Sequence, residues 1–285
     1  MSNALRIAHG KFGRVALLDM DASLVRHAHP HCHVLIKADG ADTQFLVRDR
    51  LVPLTDESAV LINAWEPHAY VHDPNRPRTK ILALYIEPNW LSGFRPNWAA
   101  SGVPGFFSRS GEQITRTLRR RASELAEAMM AAPADGPSQE ALISKLMIGV
   151  LERYTSWRSA APDEVTGRVV DFRLRRAILM MRNDPGSIVD MTALARAAGL
   201  SRAHFFRLFG EAMNIPPRVF LNTVRMETAV NEVMDGEHGM TEVSDRLGFS
   251  APAHFPRFFR DHAGAAPREF RRIARLTLDG VKAAG

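Results

Sequence analysis

Among 285 residues there is a single cysteine, Cys32, so no internal disulfide can form and a reducing compartment is expected. Long apolar runs are also missing: stretches such as 81–86 fall far short of the roughly 20 residues that cross a bilayer. The opening MSNALRIAHGKFGR has no apolar core of the secretory type. Membrane, secreted and disulfide-framework classes are therefore not expected, which leaves the cytoplasm. Lysine is absent from residues 166–275, where 17 arginines face 12 acidic residues, an excess of +5 within a formal net charge of +6. Arginine's planar fork suits bidentate pairing with phosphates and guanine edges, although a solvated helical surface would carry the same excess. Hydrophobic residues at 46% and charged residues at 24% exclude wholesale disorder and collagen-like or coiled-coil architectures.

Periodicity divides the chain. The short β-prone runs 33–37, 44–48, 59–63 and 80–86 are separated by turn material such as 38–42 and 73–75, predicting a small sandwich or barrel. Beyond the Pro/Gly-punctuated 88–105 the spacing turns helical. Ile114, Leu118, Leu125 and Met129 form one stripe, and Leu142, Leu146, Val150 and Tyr154 another. Residues 131–137 break the two helices apart, and Ser138 is expected to cap the second. Two uses of this hairpin stay open, pairing with another subunit or packing on its own β domain. The expected division is 1–95 for the β domain, 105–158 for the hairpin, 159–165 for a linker, 166–275 for an all-helical domain and 276–285 for a tail. Within 166–275 the pattern predicts helices at about 168–183, 192–198, 202–213, 217–234, 241–247, 252–262 and 267–274.

The helical domain contains a repeat. LARAAGLSRAHFFRLFGEAMNIPPRVF (194–220) aligns with VSDRLGFSAPAHFPRFFRDHAGAAPREF (243–270). Gly199 matches Gly248 and Ser201 matches Ser250. After one inserted residue His204, Phe205, Arg207, Phe209, Pro217, Arg218 and Phe220 match His254, Phe255, Arg257, Phe259, Pro267, Arg268 and Phe270. In each copy a short helix ends at a glycine able to take a left-handed turn, and a serine opens a second helix. Phe205, Leu208, Phe209 and Ala212 share one face of that second helix, leaving Ala203, Phe206, Arg207 and Gly210 on another. In the other copy Phe255, Phe258 and Phe259 form the buried stripe, with Ala253, Pro256, Arg257 and Arg260 outward. This is the helix-turn-helix pattern, whose second helix enters the DNA major groove. One copy alone would equally describe a helical pair that only packs; two matched copies argue against that.

On these residues, 166–275 resembles the DNA-binding domain of AraC/XylS-type transcriptional regulators, most closely in GFSAPAHFPRFFRDHAGAAPREFR (248–271). The resemblance implies two helix-turn-helix units joined by one long helix, here about 217–234, reading successive major grooves roughly 34 Å apart. Carried over by position, Arg202, Ala203, Phe206 and Arg207 would face DNA in the first unit, and Ala253, Pro256 and Arg257 in the second. Arg207 and Arg257 are the expected guanine readers, each worth about 1–3 kcal/mol of discrimination. Two departures stand out: Pro256 early in the second reading helix, and Asn214 where the other copy has Gly264.

The resemblance also implies an amino-terminal cupin-like β-barrel that senses an effector, followed by dimerising helices. The expected fold is therefore α+β and multidomain: cupin-like barrel, central helical hairpin, and a carboxy-terminal all-α domain with two helix-turn-helix motifs. His27, His29, His31 and His33 alternate, so on a strand they would share a face, and Glu66-Pro67-His68 follows downstream. A metal held by His29, His31 and His68 is chemically conceivable. The acidic ligand expected a few residues after the histidine pair is replaced by Val34, Leu35, Ile36 and Lys37, so no metal, cofactor or catalytic residue is expected. Instead His29, His31, Lys37 and His68 are expected to line an effector pocket, with Arg48 and Arg50 nearby favouring an anionic metabolite. Trp65 and Tyr70 are pocket walls or plain core. The functional expectation is a sequence-specific, effector-responsive regulator, not an enzyme. Its partners would be double-stranded DNA, a small molecule, a second copy and RNA polymerase, with no membrane. Two other classes remain: a metal-dependent cupin enzyme fused to a DNA-binding domain, and an architectural DNA-binding protein without effector.

Overall fold

A computed structural model of the chain describes residues 2–133, 135–155 and 171–274. The expected linker 159–165, the first residues of the helical domain and the tail 276–285 lie outside them.

The amino-terminal part is an antiparallel sandwich. Its strands are β1 (Asn3–Gly10), β2 (Gly13–Met20), β3 (Cys32–Gly40), β4 (Thr43–Val47), β5 (Arg50–Leu54), β6 (Ser58–Ile62), β7 (His68–Val71), β8 (Thr79–Ile86) and β9 (Gly111–Gln113). One six-stranded sheet has the order β1-β2-β8-β3-β6-β9 and a three-stranded sheet the order β5-β4-β7. The sheets face one another without closing, so the expected barrel is an open, cupin-like sandwich. Alternation explains why the apolar runs are nearly continuous: both faces of the larger sheet are covered. On β8, Ile81, Ala83 and Tyr85 join the core between the sheets, while Leu82, Leu84 and Ile86 join a second core on the outer face.

That outer core is supplied by α2 (Arg116–Ala131) and α3 (Gly136–Tyr154), which follow the short α1 (Pro88–Ser92) and a 3₁₀ turn at Pro96–Gly102. Leu118, Leu125, Met129, Leu146 and Val150 pack there against Val34, Ile36 and Trp98. The hairpin's apolar stripes are thus spent on its own β domain. The cap of α3 differs from expectation. Asp135 caps it by accepting the Ser138 N–H, because the Gly-Pro pair after Asp135 already lies inside the first turn.

The carboxy-terminal domain comprises α4 (Phe172–Asn183), α5 (Met191–Ala197), α6 (Arg202–Met213), α7 (Pro217–Asp235), α8 (Met240–Arg246), α9 (His254–Ala263) and a last helix, α10, at 267–274. The two helix-turn-helix units are packed differently. Leu174, Ala195, Phe205, Phe209 and Phe220 give the first unit a core of its own. The core of the second unit, with Val243, Phe255, Phe259 and Phe270, is continuous through α7 with the inner core of the sandwich. The second unit shares the sandwich's core, whereas the first keeps a separate core against which only the rim residue Trp65 of the sandwich packs among the described residues.

Candidate nucleic-acid interface and the buried histidine cluster

Both turns use left-handed glycine: Gly199 has φ +78° and Gly248 has φ +73°. Asn214 ends α6 in the same conformation that Gly264 takes after α9, with φ 56° and 73°, as a short polar side chain permits. Ser201 caps α6 by accepting the His204 N–H. Ser250 does not cap α9, which starts only at His254 after a turn at 251–253 and has no side-chain cap. This later start places Pro256 third in its helix, where the missing N–H has no helical acceptor to lose.

Phe205 and Phe209, like Phe255 and Phe259, are fully buried, whereas Arg202, Ala203, Arg207, Ala253 and Arg257 are exposed. Phe206 and Pro256 are half-buried, and the Arg202 guanidinium lies 5.3 Å over the Phe206 ring. Each of the two matched arginines faces a carboxylate one turn on: Arg207 contacts Glu211 at 3.0 Å and Arg257 lies 3.7 Å from Asp261. Exposed i,i+4 pairs are worth only about 0.3–0.5 kcal/mol, less than a bidentate guanine contact at about 1–3 kcal/mol. Such pairs hold the side chains outward and yield readily to a better partner.

The seam between the domains runs along α7. The Thr223 hydroxyl is shared between two acceptors, the Val219 carbonyl one turn back on α7 at 3.0 Å and the Ala28 carbonyl across the seam at 3.2 Å, and the Val25 N–H donates to the Asp261 carbonyl on α9 at 3.1 Å. Trp65 stacks on Phe220 with ring centroids 4.7 Å apart. Trp65 itself has φ +61°, a strained conformation for so bulky a residue, held by its N–H donating to the His29 carbonyl at 2.7 Å. Arg14 lies 4.2 Å over the Tyr85 ring and 5.9 Å over Phe270 of α10.

Inside this seam sits a cluster of buried histidines: His27, His29, His33 and His68. His27 and His68 pair through a backbone bridge, and their rings are 4.4 Å apart. The hydrogen bonds fix the tautomers, because every partner of Nδ1 is a pure acceptor. The Nδ1–H of His27 donates to the Val25 carbonyl at 2.6 Å, that of His68 to Glu66 at 2.9 Å, and that of His33 to Leu84 at 3.1 Å. His29 donates to a side chain from the other domain, Glu227 Oε1 of α7, at 3.2 Å. Burial, reinforced by the neighbouring imidazoles, pushes the pKa of His27, His29 and His33 well below the usual histidine range and that of His68 down to about 3. The rings are therefore neutral, with Nε2 carrying the lone pair. The Nε2 atoms of His29 and His68 are buried with no partner among the described residues.

The residues expected to line a pocket do not all converge. His29 and His68 come together, joined by His27 and His33. His31 turns away to contact Glu87 at 2.9 Å, because residues 28–31 form no strand to keep it in phase. Lys37 lies four residues beyond His33 on β3, about 13 Å along the strand. Its ammonium is held by Asp42 and Asp56 at 2.6 and 3.0 Å. Arg48 pairs with Glu66 at 2.6 Å. Tyr70 is core, and Trp65 belongs to the domain seam. The alternating histidines were the legible signal for His27 and His33; Glu227, nearly two hundred residues away, had none.

Residues 17–151 match the family model of an AraC-like ligand binding domain and residues 194–273 that of a helix-turn-helix domain. An HTH-type transcriptional regulator of Haemophilus influenzae is 25% identical over 137 residues, 48% of this chain and 46% of that protein, so the match spans about half the length of either. The HTH-type transcriptional activator RhaS of Salmonella arizonae is 27% identical over 257 residues, 88% of each chain. Among solved structures, an apo ToxT variant from Vibrio cholerae superposes with a TM-score of 0.58 at 12% identity, covering 94% of this chain and 100% of that one. ToxT bound to an unsaturated fatty acid gives 0.52 at 11% identity, covering 96% and 95%. These structures share the two-part fold. With a ligand-binding domain of AraC type in front and a helix-turn-helix domain behind, the chain belongs to the AraC/XylS family of transcriptional regulators.

Proposed function

We propose that α6 and α9 enter successive major grooves of one duplex, Arg207 and Arg257 reading guanines and Arg202, Ala203, Phe206, Ala253 and Pro256 completing the contact. The observation that carries this is the matched pair of exposed arginines, each beyond a glycine turn and each tethered only to an i+4 carboxylate. An effector bound in the amino-terminal domain would act through the seam. Val25, Ala28 and His29 hold α7 and α9 directly, so a shift of the 22–31 segment changes how the second unit sits relative to the first. His29 is the pocket residue best placed for this, since it bonds Glu227 of α7, and His68 packs beside its ring; His31 and Lys37 are engaged elsewhere. A homodimer, contact with RNA polymerase and a cytoplasmic setting complete the reading, and no residue is assigned a catalytic role.

The test is selection of bound sequences from a random duplex library with the full chain. Enriched sites should contain two guanine-bearing elements about 10–10.5 base pairs apart and bind at least about 10³-fold more tightly than random duplex at physiological salt. Equal affinity for enriched and random duplex would contradict sequence-specific reading and favour an architectural role.

A further inference from the structure

We propose that His27, His29 and His68 form a binding site for one divalent transition-metal ion of the zinc class, with Glu227 of α7 as the outer partner that orients His29. The site stands on geometry alone; its coupling to DNA binding rests on the regulator reading above. One ring nitrogen from each of His27, His29 and His68 lies within 4.8 Å of the others, and all three residues are buried. Their Nδ1 atoms are committed to acceptors, which leaves Nε2 as the lone-pair nitrogen of each ring, and those of His29 and His68 are buried without a partner among the described residues.

What can satisfy converging lone pairs decides the ligand. A carboxylate or phosphate brings only further lone pairs, so this cluster of neutral rings is not an anion site. A water has two hydrogens for three acceptors and leaves one unpaired. A cation that accepts electron pairs satisfies all three. An all-imidazole set suits zinc, iron, nickel or copper, whereas calcium and magnesium demand oxygen. Zinc–imidazole bonds of about 2.0–2.1 Å set tetrahedral N···N separations near 3.4 Å, so the nitrogens must close by at most about 1.4 Å per pair. Small ring rotations supply that. On its other side the His29 ring borders a narrow slit walled by Arg14, Tyr85, Met226, His262 and Phe270, too tight for a bulky metabolite.

The outer hydrogen bonds are those a metal-bound histidine needs. Nδ1–H donation to a carbonyl or carboxylate fixes the ring and raises its basicity as a ligand. Two of these acceptors, Val25 and Glu66, are backbone carbonyls of the β domain, while Glu227 belongs to the helix linking the two DNA-reading units. A bound ion polarises the His29 ring and strengthens its hydrogen bond to Glu227, tightening the hold of the sandwich on α7. The missing acidic ligand that argued against a metal concerned a set containing His31; the structure replaces His31 with His27 and needs no carboxylate in contact with the ion.

The experiment is a Co²⁺ titration of the full chain after chelator treatment, followed by visible absorption and by displacement with Zn²⁺. One Co²⁺ per chain is expected, with tetrahedral-type absorption, displaced by one Zn²⁺. His68→Gln should weaken binding at least 100-fold. Glu227→Gln, nearly isosteric and outside the inner set, should weaken it about 10–100-fold with the circular dichroism unchanged. His72→Gln should bind as the parent does. The site is overturned if the unmodified chain takes up no Co²⁺, or if uptake is undiminished in His68→Gln. The role of Glu227 is overturned if Glu227→Gln binds as the parent does while His68→Gln is weakened. Operator affinity measured with chelator and with Zn²⁺ should differ at least about 5-fold; equal affinities would refute the coupling. The two readings fail separately. Specific DNA binding without Co²⁺ uptake sinks the metal site alone, and Co²⁺ uptake without DNA selectivity sinks the regulator reading alone.

Discussion

Gly199 and Gly248 occupy matching places in the two repeats, yet the structure gives them different tolerances. Both have positive φ, so alanine at either costs about 1–2 kcal/mol for the left-handed backbone. At Gly199 a new Cβ would meet nothing nearer than the Arg173 Cδ at 3.9 Å. At Gly248 it would lie 2.0 Å from the Gly186 carbonyl oxygen, an impossible contact with backbone. The two backbones already touch here, since a Cβ on Gly186 would in turn lie 2.0 Å from the Arg246 carbonyl oxygen, so the clash can be relieved only by moving one segment away from the other. Overpacking of this kind adds about 1–3 kcal/mol. Gly199→Ala should therefore lose about 1–2 kcal/mol, and Gly248→Ala about 2–5 kcal/mol. Gly248→Ala should also move α9 relative to α6. Urea unfolding followed by circular dichroism gives the stabilities, and fluorescence anisotropy on the enriched duplex gives the affinities. Losses equal within about 0.5 kcal/mol, or a Gly248→Ala chain binding DNA as well as Gly199→Ala, would refute the argument.

Three further outcomes are expected. Cys32 is fully buried and its thiol is pushed up to about 12, so at pH 8 only about one thiol in 10⁴ is ionised; iodoacetamide should label it no faster than the chain unfolds, and rapid labelling of native protein would contradict its placement. Thr223→Val removes a hydroxyl shared between the Ala28 and Val219 carbonyls, costing about 0.5–1.5 kcal/mol; exchange of the Val25 amide should quicken while amides of β8 keep their protection, and unchanged Val25 exchange would show that Thr223 does not hold the domains together. Leu125→Ala removes a fully buried side chain between α2 and the sheet and should cost about 2–5 kcal/mol of stability, without altering which DNA sequences are enriched; a loss under about 1 kcal/mol would mean that the hairpin's apolar face is not packed on the sandwich.

The helical domain was legible because local rules set its boundaries. Helix-breaking glycines, prolines at helix starts and a phenylalanine every fourth residue leave one way to fold, and α6 spans the expected 202–213. Where a cap came from a less obvious residue, as with Asp135, or was missing, as at Ser250, the helix start moved with it. The sandwich was half legible. The four apolar runs became β3, β4, β6 and β8, but two of the other strands break strand grammar. β5 carries Pro53 at the sheet edge, and β1 slips register between Ala4 and Arg6. The histidine cluster was legible as a set but not as a geometry. The segment before β3 is not a strand, so alternation did not carry His31 inward. What fixes His29 is Glu227, and only tertiary folding brings that residue near.

Arginine substitution read against base substitution tests the central claim most directly. Arg207→Ala and Arg257→Ala should each weaken binding to the enriched duplex about 5- to 150-fold, matching about 1–3 kcal/mol, with unfolding curves unchanged. Each variant should also become indifferent to exchange of the guanine in its own element while still discriminating at the other. If both variants bind and discriminate as the parent chain does, α6 and α9 are not the reading helices.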